Sequence, residues 1–212
     1  MHIKVRLENG EEAEYPQGTT CLDLYKEKNV EQKDLLAVLI DGKECDLGKP
    51  LPEKSTVSFV DFNSQLGARI YRHSASHVLA HAVKRLYPSA KLGIGPAIEN
   101  GFYYDFEFEE PISSDDLPAI EKEMKKIIKE RLPIKRREMS REDAENLFRQ
   151  IGEKYKLELI ADLPEDAVIS CYEQGDFIDL CAGPHLPHTG KVKAFKLTSL
   201  AGAYWRGDEN NP

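Results

Sequence analysis

No stretch of this chain is apolar for long enough to cross a bilayer. Its opening residues, MHIKVRLENG, alternate polar and apolar instead of forming the apolar run of a secretory signal. A cytoplasmic protein is the expectation. Cysteine is sparse: Cys21, Cys45, Cys171 and Cys181 are scattered through 212 residues without close regular spacing, so reduced thiols are expected and a disulfide framework is not. Positive charge is in deficit too. A net charge of -8 argues against indiscriminate binding of polyanions, although a nucleic acid feels only the patch that it touches. Nucleotide-binding fingerprints are also missing. Gly93 and Gly95 in KLGIGPA lack both the Lys-Ser/Thr ending of a phosphate loop and the third glycine of a dinucleotide fold, which leaves a turn or a close backbone approach. What is present, 41% hydrophobic and 31% charged residues, suffices for one large or two small globular domains.

The hydrophobic pattern separates two units. In the first, Ile3, Val5 and Leu7 alternate with polar residues, Asn9-Gly10 is a hairpin signal, and residues 11–15 read as the return strand. Thr19 or Thr20 can cap a short helix over residues 22–28. LLAVLI is a third strand, Asp41-Gly42 turns the chain, and residues 57–59 form a last strand before a polar stretch. Strand, strand, helix, strand, strand suggests a β-grasp. This unit carries no cluster of catalytic residue types, so it reads as a docking module, with a purely structural appendage as the alternative.

The second unit opens with a helix over residues 70–86, stopped by Pro88, whose apolar arc is Ala75, Val78, Leu79, Ala82, Val83 and Leu86. His73, His77 and His81 fall on the opposite side. A solvated helical face is the competing reading, and for His81 the preferred one. Asn100-Gly101 turns into an aromatic strand over residues 102–108. Ser113 or Ser114, with Asp115, Asp116 and Pro118, starts a charged helix over residues 117–130. Its lysines, Lys122, Lys125, Lys126 and Lys129, followed by Lys135, Arg136 and Arg137, are the one basic concentration. A solvated face explains the lysines equally well. Ser140 opens a further helix over residues 141–152, and KYKLELI reads as a strand with Lys154 and Lys156 on one side.

Two matched pairs carry the chemistry. His73 and His77, four apart on a helix, can converge on one atom, and a century of residues later CAGPH sets Cys181 four before His185. In the extended run DFIDLC, Asp179 and Cys181 share a face, and Ala182-Gly183-Pro184 must then bend so that His185 returns toward Cys181. Histidine and cysteine relay protons near neutral pH, bind transition metals and act as nucleophiles.

RHSASHVLAHAV, IGPAIENGFYYDF, CAGPHLPHTG and KLTSLAGAYWRGD closely resemble, in this order, blocks of the N-terminal half of bacterial-type threonyl-tRNA synthetases. The resemblance covers the whole chain and is far more specific than HxxxH or CxxxH alone. It implies an α+β architecture: a ubiquitin-like β-grasp TGS domain at residues 1–61, then an editing domain at residues 62–212 with an antiparallel sheet and helices. The family's class II catalytic and anticodon-binding domains would follow DENNP, so this chain is not expected to charge tRNA. The implied activity is hydrolysis of seryl-tRNA(Thr) with threonyl-tRNA(Thr) spared. The partner is the acceptor end of tRNA(Thr) carrying serine, with no membrane and no DNA involved.

The resemblance makes His73, His77, Lys156, Cys181 and His185 the catalytic set and puts Asp179, Gly95 and Tyr104 on the substrate side. His73, with the terminal ribose hydroxyl, would position or deprotonate water, Lys156 would stabilise the leaving ribose oxygen, and Asp179 would hold the substrate ammonium. Cys181, His77 and His185 would shape the cleft. No cofactor is required on this reading. Zinc on His73, His77, Cys181 and His185 is the competing possibility, because related alanyl-tRNA editing domains hold zinc with similar pairs. A rival from another class is a non-catalytic RNA-binding or regulatory module in which the cluster is a structural zinc site, and chelation would unfold it.

Overall fold

Alternation in the first residues becomes a mixed sheet in the computed structural model, which describes residues 1–27 and 35–211. Lys28, the expected end of the first helix, and Pro212 lie outside the described residues. β1 (His2–Leu7) buries Ile3 and Val5 and pairs antiparallel with β2 (Glu12–Pro16), while α1 (Cys21–Glu27) follows an isolated bridge at Thr20. β3 (Leu35–Ile40) has the bounds that its apolar run predicts. Asp41 and Gly42 both take positive φ, as a tight turn demands, and lead into β4 (Lys43–Cys45), which three residues with one buried side chain leave unsignalled in the sequence. β5 (Lys54–Asp61) is longer than expected and runs parallel to β1. The order β2-β1-β5-β3-β4, with the helix between β2 and β3, is the expected β-grasp arrangement.

α2 (Gln65–Leu86) starts five residues before its expected position. Ser64 Oγ accepts from the Gly67 amide at 3.0 Å, and a Cβ on Gly67 would collide with the Asp61 carbonyl, so only glycine lets the helix start against the end of β5. The helix is central. Leu36, Ala37 and Val60 of the sheet, Ile120, Met124 and Ile127, and Leu186 share one apolar cluster with Ile70, Ala75, Val78, Ala82 and Val83. Two expectations fail here. Leu86 is exposed at the helix end, and His81 is buried instead of solvated, as is the site residue His77, because neighbours cover the supposedly polar side as well as the apolar arc.

After α2, β6 (Lys91–Leu92), β7 (Ala97–Ile98), β8 (Gly101–Phe102) and β9 (Phe106–Glu107) form two short ladders, β6 with β9 and β7 with β8. The turn is Glu99-Asn100 with Gly101 already paired, and residues 103–105 break the expected aromatic strand in two. α3 (Leu117–Glu130) has its expected bounds, and Ser113 caps a 3-10 turn over Ser114–Asp116 that leads into it, while Asp116, at the N-cap position of α3 itself, makes no side-chain cap. β10 (Ile134–Met139), β11 (Ile169–Gln174) and β12 (Phe177–Leu180) make an antiparallel sheet in that order, so the mixed α+β class holds. α4 (Arg141–Gln150) ends two residues early.

The chief correction is α5 (Lys154–Ala161), read from the sequence as a strand. Lysine, leucine, glutamate and alanine are strong helix formers, and the one β-branched residue, Ile160, packs with Ala144 and Phe148 at the helical spacing. In a helix, residues two apart point in nearly opposite directions. Lys154 is accordingly exposed on Glu107 while Lys156 is buried.

Candidate functional site

His73 and His77 project from α2 toward the turn that follows β12, and there they meet Cys181 and His185. Ring centroids lie 5.0 Å apart for His73 and His77, 4.5 Å for His73 and His185, and 4.2 Å for His77 and His185. The donor atoms of these three rings and Cys181 Sγ are all within 4.8 Å of one another.

Hydrogen-bond partners assign the protons. The Gly95 carbonyl, 3.2 Å from His73 Nδ1, can only accept, so His73 carries its proton there and Nε2 is bare. The Cys181 thiol therefore donates to His73 Nε2 across 3.0 Å. Sγ accepts in turn from the Gly183 amide and from His185 Nε2, both at 3.2 Å. His185 Nδ1 is then the acceptor for the Ser74 hydroxyl at 2.9 Å, and Ser74 Oγ receives the Leu186 amide at 3.0 Å. A single ordered chain of donors runs from Ser74 through His185 and Cys181 to His73 and Gly95.

Electrostatics agree with this neutral assignment. Burial holds His73 below the ordinary histidine value and His77 and His185 well below it, the mutual proximity of the rings adding to the effect for the latter two. Burial also pushes the Cys181 thiol up to about 12. It is a thiol, not a thiolate, at neutral pH.

Beneath the cluster lies a buried ion pair. Lys156 Nζ is ion-paired to Asp179 Oδ1 at 2.7 Å and donates to the Gly93 carbonyl at 2.7 Å and to Tyr104 Oη at 3.0 Å, while Asp179 Oδ1 itself accepts no hydrogen bond. Tyr104 donates to Asp179 Oδ2 at 2.5 Å, and His77 Nε2 is 3.7 Å from the same oxygen. Burial, followed by the Asp179 charge, raises the Tyr104 phenol well above its usual value and keeps it a donor. Gly95 is the expected close approach: a Cβ there would lie 2.1 Å from the Tyr104 ring. Asp179, Lys156, His77 and His185 are each at most 3% exposed, so solvent meets the cluster at His73 and Cys181. A cavity of about 230 Å³ lined by Arg69, His73, Pro96, Gly183 and Pro184 opens at that point.

All eight site residues anticipated from the sequence are thus gathered in one region. His81 is not. It is buried one turn further on, where Gln174 donates to Nδ1 at 3.0 Å and Asp176 Oδ1 lies 2.9 Å from Nε2, outside the cluster and away from solvent. Sequence reasoning passed over Ser74 and the Gly93 carbonyl. Serine between two histidines gives no periodic signal, and a backbone carbonyl has no residue type to read.

His73, His77, Cys181 and His185 could hold a metal ion. The donor set suits zinc, and each of two rings has an outer partner on its far nitrogen, Gly95 O for His73 and Ser74 Oγ for His185. Ser74 can either donate to or accept from His185 Nδ1, so the same residues satisfy a metal-free and a metal-bound state.

Residues 169–212 match the family described as the threonyl and alanyl tRNA synthetase second additional domain. Over 99% of its length the chain is 55% identical to the threonine-tRNA ligase of Desulforamulus reducens, 52% to that of Acetivibrio thermocellus and 51% to threonine-tRNA ligase 1 of Bacillus subtilis. It covers 33% of each of those relatives. The chain is homologous to threonyl-tRNA synthetases over nearly all of its length and spans about a third of theirs.

Proposed function

We propose that residues 62–212 are an editing domain that hydrolyses the aminoacyl ester of seryl-tRNA(Thr) and spares threonyl-tRNA(Thr), with residues 1–61 as a TGS domain. The observation that carries this reading is the neutral, proton-ordered His/Cys cluster set over a buried ammonium-carboxylate pair and opening to solvent at His73.

Losing the threonine methyl is worth only about 1–3 kcal/mol to a pocket selecting by size, roughly 10–200-fold, so a synthetic site needs a second sieve against serine. The editing pocket inverts the test by admitting serine and clashing with the extra methyl. Water, not Cys181, is the nucleophile, since a thiol held up to about 12 has little thiolate to offer. The water takes the place of the Cys181 proton at His73 Nε2, and the terminal ribose hydroxyl assists in its deprotonation. Asp179 accepts from Tyr104 through Oδ2 and is ion-paired to Lys156 through Oδ1, an oxygen that accepts no hydrogen bond and keeps its lone pairs for the substrate ammonium. Lys156 stabilises charge on the leaving ribose oxygen, and His77, His185, Gly95 and Tyr104 shape the serine pocket. Zinc, if held by three of the four donors with the fourth position left open, would supply a Lewis acid, whereas zinc on all four would be structural. The steps above do not require it. The working partner is the acceptor end of tRNA(Thr) in a cytoplasmic enzyme.

The test is single-turnover deacylation of seryl-tRNA(Thr) against threonyl-tRNA(Thr), with and without chelator, beside His73→Ala. Serine is expected to leave at least about tenfold faster, chelator to have no effect, and His73→Ala to fall by about 10²–10⁴. Equal hydrolysis of both substrates, or His73→Ala at the parental rate, would sink the reading. Loss of folding on chelation would instead support a structural zinc module.

A further inference from the structure

The turn that carries His185 is held from outside its own unit. Asp46 follows β4 in the N-terminal sheet, half-buried, and its carboxylate receives one hydrogen bond on each oxygen: the His185 amide on Oδ1 at 2.8 Å and the Tyr172 hydroxyl on Oδ2 at 2.7 Å. Tyr172, on β11, lies directly under the turn. A Cβ on Gly183 would come within 1.8 Å of the Tyr172 hydroxyl, and the Tyr172 and His185 rings pack edge to face with centroids 4.4 Å apart. Arg136 braces the same turn by donating to the Ala182 carbonyl at 2.8 Å.

We propose that Asp46 is a positioning residue of the cleft, through which the N-terminal unit sets the place of the His185 ring. This rests on the editing reading for its kinetic consequence but not for its geometry. His185 reaches the cluster by two bonds that tolerate little displacement, Nε2 to Cys181 at 3.2 Å and Nδ1 to Ser74 at 2.9 Å. Shifting the His185 main chain would break the donor chain at two points, and with it the orientation of the thiol proton on His73. Apolar packing anchors the neighbouring Leu186 on the core side, but on the outer side it is interrupted: a groove of about 700 Å³ runs between Leu47, Lys49 and Pro50 on one side and Ile134, Lys135 and Pro187 on the other, with Asp46 and His185 in its wall. A carboxylate bonded to a backbone amide is a charge-assisted link of the stronger kind, suited to hold a turn across such a gap.

The experiment compares Asp46→Ala with Asp46→Asn in the whole chain. Asparagine keeps an oxygen for the His185 amide and offers an amide donor to the Tyr172 oxygen, whereas alanine removes both links. In single-turnover deacylation, Asp46→Ala is expected to lower the rate at saturating protein about tenfold with the half-saturating concentration within about twofold, since small misplacements act on rate more than binding. Asp46→Asn should recover to within about threefold. The second readout needs no activity: with isotope-labelled histidine, the His185 ring resonance, identified by its loss in His185→Gln, should move in Asp46→Ala and stay near its parental position in Asp46→Asn. An unmoved resonance in a folded Asp46→Ala protein would overturn the proposal, as would a parental rate. If Asp46→Ala fails to fold, Tyr172→Phe supplies the same test, because it removes the Oδ2 link and leaves the ring; an unmoved His185 resonance and a parental rate there would overturn the proposal. A moved resonance in a chain that hydrolyses neither substrate upholds the positioning and rejects the editing reading.

Discussion

Behind the N-terminal sheet the interior is Leu24, Leu35, Val38, Ile40 and Val57, and Ser55 is the buried polar residue of that unit among the described residues. Around α2, by contrast, Ser74, Ser76, His77, His81, Lys156, Asp179 and His185 have all left water. The first interior is what stability alone selects. In the second, each buried polar group must be matched by a partner, and a buried ion pair seldom repays its own desolvation.

That contrast breaks most sharply at the ion pair. Lys156→Met leaves the Asp179 charge without its ammonium and is expected to cost about 3–5 kcal/mol in urea unfolding. The double variant Lys156→Met with Asp179→Leu should recover most of this loss while remaining inert toward seryl-tRNA, whereas Leu24→Ala in the N-terminal core should cost about 2–5 kcal/mol with no such compensation. A Lys156→Met protein as stable as its parent would erase the distinction between the two interiors.

Next in size is a pH effect confined to the α2 core. His77 and His185 are neutral when folded because burial disfavours the imidazolium, yet each would take up a proton near pH 6.5 once unfolded. The unfolded state therefore binds more protons in the window below about 6.5, and folding is weakened there by about 1.4 kcal/mol per histidine for each unit of falling pH, with the contribution complete above that window. Urea midpoints measured at about pH 7.5 and about pH 5.5 check it, and His185→Gln should reduce the difference, leaving the share of His77. A midpoint that rises toward acid would contradict the neutral cluster.

The smallest effect belongs to the outer face of α3. Lys122, Lys125, Lys126 and Lys129 are exposed, while Glu121 and Glu123 are buried on its inner side. Lys125→Glu with Lys129→Glu should leave stability within about 0.5 kcal/mol and the salt dependence of tRNA binding unchanged. A salt slope reduced by roughly one per lysine would put this face against the phosphate backbone instead.

How far the sequence could be read depended on whether the signal was local. β1 and α3 were legible because their burial follows the period of their own backbone, and β3 because its continuous apolar run is buried on both faces. α5 was not: KYKLELI alternates like a strand, and helix propensity together with packing on Ala144 and Phe148 decided otherwise. The pairs His73/His77 and Cys181/His185 could be named as a site and His81 left out of it, but not the buried states of His77 and His81, since both depend on what covers the far side of α2. Ser74 and Asp46 carried no signal of their own.

Residue type and spacing by themselves determined the β-grasp order of the first unit, the order of most other elements and the two donor pairs, because these follow from local periodicity and side-chain chemistry. Tertiary structure alone decided which donors meet, which proton each carries and which unit holds them. His73 meets Cys181 across 108 positions and Asp46 meets the His185 amide across 139, and contacts so distant are set by the packing of whole elements, which no local pattern encodes.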